Sequence, residues 1–224
     1  MSPSRRDSPG PKAPDLLADR LRRRILGGEL EAGTPLREEE LASMHGLSRH
    51  TVRAALARLA EERLVTSEPY RGSRVTSFDT EDAIALQQLR GALEIEAVRM
   101  LHERHGAQWP DEVSAPILAA IDELARTEHQ GDWLATTRAH SAVHVALVEA
   151  AGSPRITEAY RRLESETLLL ITQLRLSYPA GSLEHQHRDY VAAAQQGRTD
   201  AVREHLRSTI ELVRASTALE PRSR

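Results

Sequence analysis

LREEELASMHGLSRHTVRAALARLAEERLVTSEPYRGSRV, Leu36 to Val75, decides the fold of the amino-terminal part of this chain. A short helix from Glu38 to His45 is stopped by Gly46, a residue that turns tightly at no steric cost. Ser48 stands where an N-cap is wanted, and a second helix runs from it to about Arg63. Val52, Ala55, Leu56 and Leu59 fall at i, i+3, i+4 and i+7, one apolar stripe of that helix. The period then changes. Leu64 to Phe78 predicts two short strands around a Pro-Tyr-Arg-Gly turn.

Two helices crossing steeply around a small residue, followed by a hairpin, make a winged helix-turn-helix. Ala42 is small where the helices approach, and Leu41, Leu47, Val52 and Leu56 are the expected seam. This leaves Arg49, His50, Thr51 and Arg53 on the exposed first turns of the second helix, the part that such folds present to base edges in the major groove. Arginine suits a bidentate contact to guanine, and hydroxyls such as those of Ser48 and Thr51 suit phosphates. Arg71 and Gly72 form the expected wing tip, where arginine reaches a phosphate or the minor groove.

Working outward, Leu17, Leu21 and Ile25 at i+4 steps predict a helix over 13–26, closed by Gly27-Gly28. Residues 1–12, rich in Pro, Ser and Arg, read as a disordered arm. From Thr80 onward the pattern is helical, with helices expected over 80–104, 110–129, 131–151, 154–177, 182–196 and 198–217. The expectation is therefore a mainly α protein: a DNA-binding domain over 13–78, an all-α bundle of about six helices over 79–218, and a tail from 219 to 224.

Composition agrees with packed helices. Of 224 residues 40% are hydrophobic, yet there are only one Phe, two Trp and four Tyr. The lack of cysteine excludes disulfides, zinc ribbons and thiol nucleophiles. No run approaches the roughly 18 apolar residues of a membrane span, and the amino-terminal stretch lacks the apolar core of a secretory signal, so a cytoplasmic location is expected. Residues 1–76 carry 14 Lys and Arg against 11 Asp and Glu, while the remainder carries 16 against 22. The basic excess lies with the DNA-facing half, but it is mild.

In the helical half, Leu86, Leu89, Leu93, Ala97 and Met100 share one face, and Arg90 falls within it. A buried arginine needs a counter-charge, either Glu94 at i+4 or an anionic ligand. His140 and His144 are spaced i, i+4, and His187 aligns with the inward Tyr190, Val191 and Ala194. Converging neutral imidazoles are natural ligands for zinc-like ions, and hydrogen-bonded core histidines are the alternative.

The segment Glu38 to Val75 resembles the DNA-binding domain of the GntR family of bacterial regulators: the acidic EEELA helix, the G-hydrophobic-S-R-x-x-V-R-x-A-L pattern from Gly46, and the R-G-x-x-V wing from Arg71. The resemblance implies operator contacts by Arg49 and Arg53, and a wing glycine at Gly72. Some relatives have a DNA-contacting arginine where this chain has Glu39, and Arg37 is expected to compensate. LRGALEIEAVRML, HSAVHVALVEAAGSPRI and HRDYVAAAQQG resemble the FCD domain of the FadR-like branch. That likeness implies dimerisation through residues from 80 onward, a palindromic double-stranded operator, a carboxylate effector, and a divalent metal, zinc- or nickel-like. It places the ligands at His140, where the family has Asp, at His144, at His187, and on the last helix at Thr209, which is a poor ligand; His205 lies one turn earlier.

Two rival functions were weighed. A metal-dependent hydrolase could use His140 and His144, but HSAVH lacks the glutamate of HExxH that would act as general base. The other rival is a helical interaction module without specific DNA binding.

Overall fold

The computed structural model describes residues 12–68, 71–178, 181 and 183–216. The expected arm, apart from Lys12, the Pro69-Tyr70 turn and the tail lie outside them. Backbone proximity divides the chain into two compact units, one of residues up to Ile25 together with Glu29–Thr76, the other of Leu26–Gly28 together with the residues from Ser77 onward.

The first unit contains α1 (Ala13–Leu26), β1 (Pro35–Leu36), α2 (Glu38–His45), α3 (Arg49–Glu61), β2 (Val65–Glu68) and β3 (Gly72–Val75). Gly46 closes α2 in the left-handed region at φ 62°, and the amide of Leu47 donates to the Ala42 carbonyl at 3.0 Å. That close turn lets α3 start two residues later. Ser48 caps α3, its side chain accepting from the Thr51 amide at 3.1 Å. The predicted stripe of Val52, Ala55, Leu56 and Leu59 is buried, as are Leu17, Leu21, Ile25 and Leu41. The wing differs from expectation in one respect. It is a three-stranded antiparallel sheet of order β1-β3-β2, with Val65 opposite Val75 and Leu36 opposite Ser73. Two residues are too few to show alternation, so β1 has no periodic signal in the sequence.

The second unit is helical: α4 (Thr80–His105), α5 (Asp111–Gln130), α6 (Trp133–Ala150), α7 (Pro154–Arg161), α8 (Glu164–Gln173), a 3₁₀ turn (Arg175–Ser177), α9 (Leu183–Gln195) and α10 (Thr199–Ala215). The single helix expected over 154–177 is thus divided at Arg162-Leu163, and the bundle holds seven α-helices among the described residues. No Gly or Pro marks the break. It falls just after Tyr160, whose hydroxyl is bonded to groups on α4, a long-range demand that has no local signature.

α5 packs on α6, α10 on α4 and α9 on α5. Leu101, Ile117, Ile121, Leu124, Val143 and Leu147 are fully buried at the centre. Gly91 allows α10 to come close to α4, since a Cβ there would stand 2.5 Å from Leu206 Cδ1. That approach brings the inner face of α10 toward the polar residues of α4 and α6.

Candidate functional site

The first candidate site is the exposed start of α3. Arg49, His50 and Arg53 are exposed there, as are Arg37, Arg71 and Gly72. Gly72 begins β3 at φ 75°, as a tight wing tip requires. Ser48 works as the helix cap, and its hydroxyl also lies 2.9 Å from that of Thr51. The sequence reading missed what surrounds the arginines. Arg49 donates to Glu39 at 2.8 Å, and Arg53 donates twice to Glu38, at 3.0 and 2.8 Å. The bonds from Arg53 hold the Glu38 carboxyl below the usual carboxylate range. Arg37 donates to Glu40 at 2.8 Å and Arg71 to Glu68 at 3.2 Å. Exposed pairs of this kind are weak and screened by salt, so they orient the guanidinium groups without withholding them from a polyanion.

The second candidate site lies inside the helical unit. His140 and His144 on α6, His187 on α9 and His205 on α10 each bring a ring nitrogen within 4.8 Å of the others. The structure therefore joins the three sequence-predicted histidines, and His205, rather than Thr209, is the contribution of α10. The one available signal for His205 was its position one turn before Thr209; helix spacing alone left it at the edge of the inward stripe.

Proton positions in this cluster follow from its neighbours. His144 Nδ1 is 3.0 Å from Glu94 Oε2, and His187 Nδ1 is 2.6 Å from the Leu183 carbonyl. Burial alone would raise the Glu94 carboxyl, but His144, Arg90 and Tyr160 outweigh it and keep the group ionised. Both partners then only accept, so both Nδ1 atoms carry the hydrogen. The two Nε2 atoms, 3.1 Å apart, consequently face each other as lone pairs when the rings are neutral. Either a proton or a cation must sit between them. Burial, then the neighbouring His144, opposes the proton and pushes His187 down to about 3. Burial likewise takes His140 and His205 well below the ordinary imidazole value, with the surrounding histidines adding to it. His140 Nδ1 is buried without a hydrogen-bond partner among the described residues. A convergent, partly orphaned set of imidazole nitrogens, with His140, His187 and His205 held neutral by burial, fits a divalent cation of the zinc or nickel type better than a hard, oxygen-preferring one.

Arg90 has the acidic neighbour expected at i+4. It is 3% exposed and donates to Glu94 at 3.3 Å, to Gln87 at 2.9 Å and to Tyr160 at 3.0 Å. Tyr160 and Tyr190 also donate to Glu94, at 2.5 and 2.7 Å. Glu94 is thus the hub of the buried network, and the sequence identified it only as a partner for Arg90.

Beside the histidines lies a cavity of about 350 Å³ lined by His140, His187, His205, Tyr178, Gln186 and Thr209 among others. Arg90 is not on its wall.

A winged helix-turn-helix joined to a helical unit with a ligand-sized cavity beside a histidine cluster is the architecture of a transcription regulator that combines DNA reading and effector sensing in one chain. The comparisons agree. The profile described as "Bacterial regulatory proteins, gntR family" matches residues 15–75, and that of the FCD domain matches residues 85–212. An uncharacterized HTH-type transcriptional regulator of Paraburkholderia xenovorans, BphR, is 31% identical over 87% of this chain and 82% of its own. The HTH-type transcriptional repressor GlaR of Escherichia coli is 26% identical over 88% and 94%. The crystal structure of a putative GntR regulator from Rhodococcus superposes with a TM-score of 0.69 at 26% identity, covering 88% of this chain and 93% of that one. This chain belongs to the GntR family, in its FCD branch. It is a transcription regulator and not an enzyme, and the hydrolase and interaction-module readings are not favoured. No helix among the described residues is long and apolar enough to cross a membrane.

Proposed function

We propose that this protein is a cytoplasmic repressor that binds a palindromic operator as a homodimer and responds to a small carboxylate held at a metal-bearing histidine cluster. Residues 13–78 are the DNA-binding domain in this reading, and 79–218 carry dimerisation and sensing. Arg49 and Arg53 read bases, with His50, Thr51, Ser48, Arg37, Arg71 and Gly72 contacting the duplex around them. A two-fold dimer doubles the short site that one recognition helix can read. Repression is supported by two relatives named as repressors, GlaR and a probable D-xylose utilization operon transcriptional repressor of Paenarthrobacter nicotinovorans.

The observation that carries the sensing half is the pair of Nε2 atoms 3.1 Å apart, each with its ring hydrogen committed elsewhere. His140, His144, His187 and His205 would hold the ion. When bound, it supplies a Lewis-acid anchor for a carboxylate oxygen. Glu94 fixes the tautomer of His144, and the Leu183 carbonyl fixes that of His187, as outer partners of metal-bound histidines do. Arg90 acts from behind the cluster, its charge adding to the burial that disfavours protonation of His140, His187 and His205.

Metal content after gentle purification, followed by zinc and nickel titration of wild type and His187→Ala with thermal stability as readout, tests the reading. Stabilisation of wild type that is lost in the variant is expected. Equal indifference of both to metal would remove the ion from the proposal and leave the regulator.

A further inference from the structure

We infer that the cavity beside the histidines selects an effector with a single carboxylate and an uncharged or cationic far end, and that Glu211 is the residue that rejects a second carboxylate. The inference rests on the metal-and-carboxylate reading above and adds to it the chemistry of the other end of the ligand.

The argument begins with charge. At the inner end the wall is formed by His140, His187 and His205, whose ring nitrogens converge on the proposed cation site, so the anchor for a carboxylate lies at that end. Arg90 does not serve the far end. It is absent from the wall, and the carboxylate of Glu94 faces it at 3.3 Å. Among the described wall residues there is no Lys or Arg, and the acid is Glu211.

Geometry sets the distance. His205, Thr209 and Leu212 follow one another along the inward face of α10, and Glu211 stands six residues beyond His205 on the flank of the same helix. Six residues of helix rise about 9 Å. An acid anchored at the imidazoles therefore brings a far substituent several carbons away toward Glu211. A second carboxylate there meets like charge, and no Lys or Arg stands among the described wall residues, although Arg207 and Arg214 flank Glu211 along α10. In the wet mouth of a cavity, two such charges roughly 6 Å apart disfavour binding by about three- to tenfold. A hydroxyl or ammonium group instead finds acceptors in Glu211, Gln186 and Ser208, while Leu183, Leu212 and Tyr178 cover the carbon chain. Specificity of this kind comes from the repulsive element as much as from the attractive ones.

A matched set of six-carbon acids isolates the far group: hexanoate, 6-hydroxyhexanoate, 6-aminohexanoate and adipate. Each is titrated calorimetrically into full-length protein, zinc-loaded and zinc-free, for wild type, Glu211→Gln and Glu211→Lys. Glu211 is exposed, so neither variant is expected to disturb folding. The expected order in wild type places 6-aminohexanoate and 6-hydroxyhexanoate at least threefold tighter than adipate. Glu211→Gln should erase most of that gap, and Glu211→Lys should reverse it. Adipate binding as tightly as the others in wild type, or an order unmoved by Glu211→Lys, overturns the inference and leaves the carboxylate reading standing. Binding of none of the four acids overturns both. Binding without any effect of zinc counts against the metal alone.

Discussion

Replacing Glu94 by glutamine changes one heavy atom and should unsettle the whole helical unit. The carboxylate is fully buried and accepts four hydrogen bonds. Oε1 receives Tyr160 and Arg90, and Oε2 receives Tyr190 and His144. An amide has one acceptor end and one donor end, so one of those two pairs of donors must face an NH₂ group. The substitution also leaves the guanidinium of Arg90 without its counter-charge in the interior. Breaking a buried pair from one side costs about 3–5 kcal/mol, which for a unit of this size lowers the melting temperature by roughly 6–20 °C. Differential scanning calorimetry of the metal-free full-length protein, resolving the transition of the helical unit, measures it. Arg90→Met alone should also destabilise, because it leaves the buried Glu94 charge without its guanidinium. The double variant Arg90→Met/Glu94→Gln should be less damaged than the sum of the two single variants, as coupling through one charge pair requires. A fall of less than about 2 °C for Glu94→Gln, or strict additivity in the cycle, would refute the assignment of Glu94 as the hub that balances Arg90.

Three further outcomes are expected. Arg49→Ala and Arg53→Ala should each lose about 1–3 kcal/mol of discrimination between operator and scrambled duplex while the far-UV spectrum stays unchanged; retained preference in both, read by fluorescence anisotropy, counts against the recognition assignment. The metal-free protein should lose stability in acid. His187 titrates at about 3 in the folded state, against about 6.5 in an unfolded chain, so the unfolded state binds more protons below about pH 6.5. The contribution of that neutral imidazole is complete above that pH and falls away as pH drops toward 3, and His140 and His205 act in the same direction. Melting temperatures recorded between pH 7 and pH 4 that stay level contradict it. Gly91→Ala places a methyl group against Leu206 where α4 and α10 meet, and an overpacked contact of this kind costs about 1–3 kcal/mol in chemical denaturation.

The sequence by itself determined the elements that depend on near neighbours. The turn at Gly46, the cap at Ser48 and the buried stripe from Val52 to Leu59 all follow from local conformational preference and helical period, and the structure has each of them. His140 and His144 are legible for the same reason, since i, i+4 spacing joins them on one helix. What the sequence could not determine required contacts across the bundle. β1 exists because β3 offers it a ladder, and α7 ends where Tyr160 has reached Glu94, 66 residues away along the chain. The clasp of Arg49 and Arg53 by Glu39 and Glu38 depends on the crossing of two helices. His205 enters the cluster because Gly91 lets α10 approach α4 closely enough, a distance no periodicity encodes. Tertiary packing likewise supplied the surroundings of Arg90: it placed Glu94, Gln87 and Tyr160 around the guanidinium in a dry interior, where an unmatched charge is too costly to keep.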